Sequence, residues 1–201
     1  MGRKLVEESK RLSWLLRHGA GGEGLAMDAA GWVSVPEVLA RVRMTRAALE
    51  EVVELNEKGR LELSGDGERV RACQGHSLAG MPVTREALEA SWTTLEGDAP
   101  IWHGTNLEAA AGIARLGILP GARTHVHLAA ALDSVVGKRA SVHVMLEVAP
   151  ARVRAAGLGL WLSGNGVVLA RHIPPSCISG LRAMTRAARA EESRLRGLFP
   201  G

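Results

Sequence analysis

The segment from Arg60 to Ala72 constrains the fold most tightly. Two short runs, Arg60-Leu61-Glu62-Leu63 and Arg69-Val70-Arg71-Ala72, stand on either side of Ser64-Gly65-Asp66-Gly67. A turn rich in Gly and Asp between two strand-like runs specifies an antiparallel hairpin. Upstream, Leu5, Leu12, Leu15 and Leu16 recur at helical spacing with charges between them, so a helix is expected from Leu5 to Arg17, with Gly19 as its C-terminal signal. Leu25 to Val33 reads as a short strand or turn and Val35 to Val42 as a helix. Thr45 is the N-cap of a further helix running to about Leu55.

Three helices followed by a two-stranded wing give a winged-helix-like lobe over residues 1–80. Residues 81–97 are a connector, with a short helix near Arg85–Ser91. A second lobe is expected over 98–184. Its predicted elements are a strand at Ile101–His103, a helix from Asn106 to Leu116, a strand at Thr124–Leu128, a helix at Ala129–Val136, and strands at Ser141–Val148, Leu158–Leu162, Val167–Ala170 and Ile178–Leu181. The predicted fold class is α+β with a mainly antiparallel sheet. Residues 185–201 form a charged tail with a helical pattern, to which no chemistry is assigned.

At 201 residues the chain can bury one good-sized core or two small ones. No apolar run approaches the roughly 20 residues that span a bilayer, so a cytoplasmic protein with no membrane partner is expected. Cys73 and Cys177 lie far apart without metal-type spacing and read as buried, inert thiols. The net charge is +4, and only Lys4, Lys10, Lys58 and Lys138 are lysines among 25 basic residues. Guanidinium is the bidentate phosphate ligand, so a polyanionic partner is one reading of this bias, and an arginine-rich composition without functional meaning is the other.

Arg123-Thr124-His125-Val126-His127-Leu128, read as a strand, places Arg123, His125 and His127 on one face and makes an anion site plausible. Arg17-His18 joins a fixed cation to a titratable group at a helix end, where an interaction with the helix dipole is the competing explanation. His103-Gly104-Thr105 ends a strand just before the N-cap candidate Asn106, in a place suited to a pyrophosphate or ribose, although a structural turn has the same appearance. His125-x-His127 lacks an evident third ligand, so no metal site is assigned. Ser163-Gly164-Asn165-Gly166 reads as a hairpin turn.

The chain closely resembles the tRNA 2′-phosphotransferase family from about Lys4 to Met184. The resemblance rests on six segments in the family's order: Leu12-Ser13-Trp14-Leu15-Leu16-Arg17-His18, Asn56-Glu57-Lys58-Gly59-Arg60-Leu61, Arg71-Ala72-Cys73-Gln74-Gly75-His76-Ser77, Trp102-His103-Gly104-Thr105, Arg123-Thr124-His125-Val126-His127-Leu128 and Asn165-Gly166-Val167. It implies an N-terminal winged-helix RNA-binding lobe and a C-terminal NAD-binding lobe of the ADP-ribosyltransferase type. The implied reaction removes an internal RNA 2′-phosphate with NAD as co-substrate and without metal. It proceeds through a 2′-phospho-ADP-ribosylated RNA to an RNA 2′-hydroxyl, nicotinamide and ADP-ribose 1″,2″-cyclic phosphate.

By motif matching, the family's catalytic set falls on Arg17, His18, Arg60 and Arg123. NAD falls to His103, Gly104, Thr105, His125, His127, Asn165 and Gly166, and the RNA to Arg71, Gln74, His76 and Ser77. The expected partner is an RNA of the tRNA type carrying an internal 2′-phosphate, with no obligate protein partner evident. Leu61, Ala122 and Ala129 depart from the family's usual residues without touching the four basic positions. Two rival readings stand beside this one: a non-catalytic winged-helix RNA-binding module, and an ADP-ribosyltransferase acting on nucleic-acid terminal phosphates.

Overall fold

The leucine periodicity of the N-terminal segment builds helix α1 (Arg3–Trp14), whose Leu12 is fully buried. The predicted helix to Arg17 does not continue as an α-helix: after Trp14 the chain widens into a π turn over Leu15–Gly19. Leu15, Leu16 and Gly19 of that turn are buried, so packing of the leucines fixes the wider turn in place. The computed structural model describes residues 3–56, 58–137 and 141–199. Its contacts divide the chain into two units, Met1–Trp92 with Ala122–Thr124, and Thr93–Gly121 with His125–Gly201.

In the first unit, α1 and the π turn are followed by β1 (Val33–Ser34), α2 (Val35–Val42) and α3 (Arg46–Glu54). Ser34 and Thr45 cap the two helices through side-chain oxygens that accept from Glu37 N and Ala48 N. The hairpin forms as expected from β2 (Leu61–Leu63) and β3 (Arg69–Ala72), with Glu62 opposite Arg71. β1 joins it through Val33 opposite Val70, giving an antiparallel sheet of order β1-β3-β2. Val35, Val38, Leu49, Val52 and Val70 are fully buried with Leu16 and form the core. Helix α4 (Arg85–Ala90), capped by Thr84, follows.

The second unit is a seven-stranded sheet in which every pairing is antiparallel, of order β10-β7-β5-β6-β9-β8-β4. Its strands are β4 (Thr93–Thr94), β5 (Ile101–Thr105), β6 (Val126–Ala129), β7 (Val144–Val148), β8 (Trp161–Leu162), β9 (Val167–Ala170) and β10 (Ile178–Ala183). Helices α5 (Leu107–Leu116), α6 (Pro150–Ala155), α7 (Arg186–Ala190) and α8 (Glu192–Leu198) accompany them. The 185–201 segment is more than a solvated tail, since Ala188, Leu195 and Phe199 are buried in the same core as Ile101, Leu128, Leu146 and Val168. No helix among the described residues is long and apolar enough to cross a membrane.

Several predicted elements differ from those observed. The strand expected at Thr124–Leu128 runs from Val126 to Ala129, so Arg123 and His125 lie outside it and the shared face of Arg123, His125 and His127 does not form. Backbone bonds to residues 76–78 take Ala122–Thr124 into the first unit instead. The helix expected at Ala129–Val136 is absent: Ala129 closes β6 opposite Val167, and Ser134 bonds back to Ala131 N to form a turn. The strands expected at Ser141–Val148 and Leu158–Leu162 shorten to β7 and β8, while α6, opened by Pro150, had no counterpart in the periodicity. Both cysteines are buried, as expected.

Gly117 closes α5 at φ 79° and ψ −173°, backbone that glycine alone adopts readily, and a Cβ there would lie 2.1 Å from the Ile173 carbonyl oxygen. Gly117→Ala is therefore expected to destabilise the protein by about 1–3 kcal/mol, read as a lowered urea midpoint at unchanged m-value. An unshifted midpoint contradicts this account of the α5 terminus.

Candidate anion-binding site

The π turn carries Arg17 and His18 away from the buried leucines. Single-turn π geometry of this kind recurs at functional sites in helices because it re-aims side chains that a regular turn would hold elsewhere. The Arg17 carbonyl accepts a hydrogen bond from Ser77 N at 3.0 Å, and His18 Nδ1 lies 2.9 Å from Ser77 Oγ. Ser77 also pairs with Arg123 in an isolated antiparallel bridge. The bonds of that bridge come from the flanking residues, Thr124 N to His76 O at 2.9 Å and Leu78 N to Ala122 O at 3.3 Å. Ser77 and Arg123 are thus a non-hydrogen-bonded pair, the kind in which side chains lie closest and share a face. Arg85 Nε secures the same strand by donating to Thr124 O at 3.0 Å.

Arg60 enters from the hairpin, which extends one pair beyond β2 and β3 through Cys73 N donating to Arg60 O at 3.0 Å. The four residues of the matched catalytic set therefore belong to one unit, although Arg123 is far from the others in sequence. Electrostatics shows their proximity. Burial pushes the Arg17 guanidinium down to about 10, and the charges of Arg60 and Arg123 push the same way. His18 is also lowered from its ordinary value, by burial first and then by Arg17 and Arg123. Cys73 does not neutralise this charge, because burial raises its thiol to about 12 and keeps it protonated.

Arg17 Nε and Nη2 are buried and have no hydrogen-bond partner among the described residues. A buried guanidinium with unused donors and like-charged neighbours is an unfavourable arrangement that a bound anion relieves. Gly75 lies beside it at φ 92°, a conformation that favours glycine, and a Cβ there would come 3.3 Å from Arg17 Nε, closer than ordinary contact. Sequence reasoning left Gly75 out of the site. Its one signal was a glycine between two polar residues, Gln74 and His76.

The other expected RNA contacts are placed differently. Arg71 is buried, with Nε donating to Glu62 Oε1 at 2.6 Å, Nη1 to Ser91 Oγ at 2.8 Å, and its guanidinium 4.4 Å from the Trp32 ring centre. Its charge is satisfied inside the first unit. Gln74 and His76 are buried as well, while Ser77 is half-buried.

In the second unit, His103, Gly104 and Thr105 lie on β5 and His127 on the neighbouring β6, where His103 Nδ1 bonds the His127 carbonyl oxygen at 3.2 Å. His125 is buried just before β6, edge-on to Trp161 at 5.8 Å between ring centres. Asn165 and Gly166 form the expected turn between β8 and β9, with Gly166 at φ 77°. The turn lies at the end of β9 where Val167 faces Ala129, two residue pairs from His127. The structure thus brings five of these residues onto adjoining segments and sets the turn slightly apart. Among the described residues no group of three His, Cys, Asp or Glu is placed to hold a metal ion.

The lowered pKa of His18 means that it is neutral at neutral pH and gains charge only as the pH falls below the usual imidazole range. Arg17→Ala or Arg123→Ala is expected to raise that pKa toward its ordinary value by removing a repelling cation. NMR titration of the His18 ring measures it, and an unchanged pKa in both variants contradicts the clustering of these charges.

A family model described as RNA 2′-phosphotransferase, Tpt1 / KptA family, matches residues 3–172. The chain is similar to a probable RNA 2′-phosphotransferase of Pseudomonas syringae pv. tomato, 38% identical over 87% of this chain and 94% of the relative. A protein of the same description from Burkholderia lata is 37% identical over 83% of this chain and 86% of its own length. One from Pseudomonas fluorescens is 33% identical over 90% of this chain and 100% of its own length.

Proposed function

The chain belongs to the RNA 2′-phosphotransferase family, and on that footing we propose that it removes an internal 2′-phosphate from an RNA of the tRNA type with NAD as acceptor. The observation that carries the reading is the cluster of Arg17, Arg60 and Arg123 with two unused, buried donors on Arg17. Three guanidiniums with His18 beside them suit a dianionic phosphate, and they hold it at any cellular pH. The residues assigned to RNA lie on a helix-and-hairpin unit, which we take as the winged-helix-like lobe over residues 1–80. Residues 98–184 are taken as the NAD-binding lobe of the ADP-ribosyltransferase type, with 81–97 as connector and 185–201 as a C-terminal helical segment. The protein is expected to act in the cytoplasm.

NAD, as co-substrate, would supply a carbon acceptor with a neutral leaving group: the RNA 2′-phosphate would displace nicotinamide to give a 2′-phospho-ADP-ribosylated RNA, from which the ribose 2″-hydroxyl would release the RNA 2′-hydroxyl and ADP-ribose 1″,2″-cyclic phosphate. His103, Gly104, Thr105, His125, His127, Asn165 and Gly166 would hold NAD. Their chemistry fits: β5 and β6 offer histidine rings, a hydroxyl and a glycine on adjoining segments, next to a helix capped by Asn106.

Each residue's role follows from its charge. Arg17, Arg60 and Arg123 orient the phosphate and neutralise the charge that moves through it in both steps. His18, held neutral by its surroundings, gives or takes a hydrogen bond without adding a fourth fixed charge. Arg71 serves the scaffold, because its guanidinium is already engaged by Glu62 and Ser91.

The test is incubation with NAD and a short RNA bearing an internal 2′-phosphate, in EDTA, with mass analysis of both products. The expected result is dephosphorylated RNA and a cyclic phosphate of ADP-ribose. Binding without nicotinamide release identifies a non-catalytic module instead, and label transfer to a terminal phosphate identifies the other rival. Arg60→Ala is expected to cost on the order of 10²–10³ in rate, with poor rescue by lysine, which lacks the planar fork. Single-turnover rates near those of the unaltered protein exclude Arg60 from the site.

A further inference from the structure

Ser77 touches three of the four residues of the catalytic set. Its backbone N–H donates to Arg17 O, its side chain meets His18, and its backbone pairs with Arg123. We propose that Ser77 is the positioning residue that sets the tautomer of His18, donating its hydroxyl proton to Nδ1 so that the ring presents an Nε2–H donor to the anion. The proposal rests on the phosphotransferase reading for its substrate, but its geometry stands without one.

A neutral imidazole carries one proton on one of two nitrogens, and the partner of the first nitrogen decides what the second offers. The Nδ1 of His18 is 2.9 Å from Ser77 Oγ. A hydroxyl bonds either way round. If Nδ1 carries the proton, Ser77 Oγ accepts it and Nε2 is left as a bare acceptor. If Ser77 donates, Nε2 carries the proton and becomes a directed donor.

Two observations favour donation. Among the described residues, Ser77 Oγ has no hydrogen-bond partner other than His18, so Nδ1 is the one protein acceptor open to its proton. The charged groups acting on His18 are Arg17 and Arg123, both donors only, so neither offers an alternative acceptor to the hydroxyl. Nε2 likewise has no partner among the described residues and is left for the ligand. An anion among arginines is better served by a fourth donor than by an imidazole lone pair, which would repel its oxygens.

Ser77 is held against the movement that would undo this. Its backbone is fixed on one side by the bridge to Arg123 and on the other by the bond to Arg17 O, while the following Leu78 bonds Ala122 O. The serine therefore couples the direction of the His18 ring to the same backbone that carries Arg123. A packing role alone would leave the ring's tautomer unaffected by the hydroxyl.

The experiment is long-range ¹H–¹⁵N NMR of the His18 ring in the full-length protein, at a pH where the ring is neutral, for the unaltered chain, Ser77→Ala and Ser77→Thr. The expected spectrum shows the Nε2–H tautomer in the unaltered protein, a mixture or reversal in Ser77→Ala, and recovery in Ser77→Thr, which keeps the hydroxyl. Turnover on the 2′-phosphorylated RNA should fall about tenfold in Ser77→Ala, the size of one neutral hydrogen bond, and should recover in large part in Ser77→Thr. An Nδ1–H tautomer in the unaltered protein, or an unchanged tautomer in Ser77→Ala, overturns the proposal. Should Ser77→Ala fail to fold, the other two spectra decide. An Nε2–H tautomer in a protein that releases no nicotinamide refutes the phosphotransferase reading and leaves the role of Ser77 standing.

Discussion

The candidate site depends on one backbone pairing, that of residues 76–78 with 122–124. It holds Ala122–Thr124 in the first unit, whereas β6, which begins at Val126, belongs to the second. With this pairing, a cation contributed from beyond residue 120 joins the like charges of Arg17 and Arg60 beside a neutral His18. Like charges do not gather unaided. The hydrogen bonds of the pairing, reinforced by Arg85 on Thr124 O, offset the repulsion, and clustered cations of this kind favour an anionic ligand.

The same economy appears in how the surrounding polar groups are used. Glu62 is paired with Arg71 across β2 and β3 and is not among the charges that act on Arg17. Cys73 lies near Arg17 but remains a thiol, bonded to the Gly59 carbonyl oxygen at 3.0 Å. Gly75 gives up a side chain so that the guanidinium can lie against its backbone. These arrangements leave Arg17 with unused donors and a lowered pKa, properties of a ligand site more than of a structural ion pair.

Local features of this architecture were legible in the sequence because they are encoded locally. The hairpin turn at Ser64–Gly67, the caps Thr45 and Asn106, and strands β9 and β10 follow from turn chemistry, capping and apolar runs. What escaped was set by partners remote in sequence. Alternation in Arg123–Leu128 looked like one strand, but its first two residues are captured by 76–78, and nothing in the hexapeptide signals that capture. The π turn at Leu15–Gly19 has the same leucine spacing as an α-helix, so its widening was invisible. Residue types for the site were readable, whereas the burial of Arg71 and the place of Gly75 beside Arg17 required the fold.

The central claim is that Arg17, Arg60 and Arg123 form a preassembled phosphate site that recognises its ligand before any chemistry. Calorimetric binding of two otherwise identical short RNAs in the absence of NAD, one with an internal 2′-phosphate and one with a 2′-hydroxyl, tests it most directly. The account predicts that the phosphate tightens binding by about ten- to hundredfold, as charge-assisted hydrogen bonds do, and that Arg17→Ala abolishes the difference. Equal affinity of the two RNAs for the unaltered protein would contradict it.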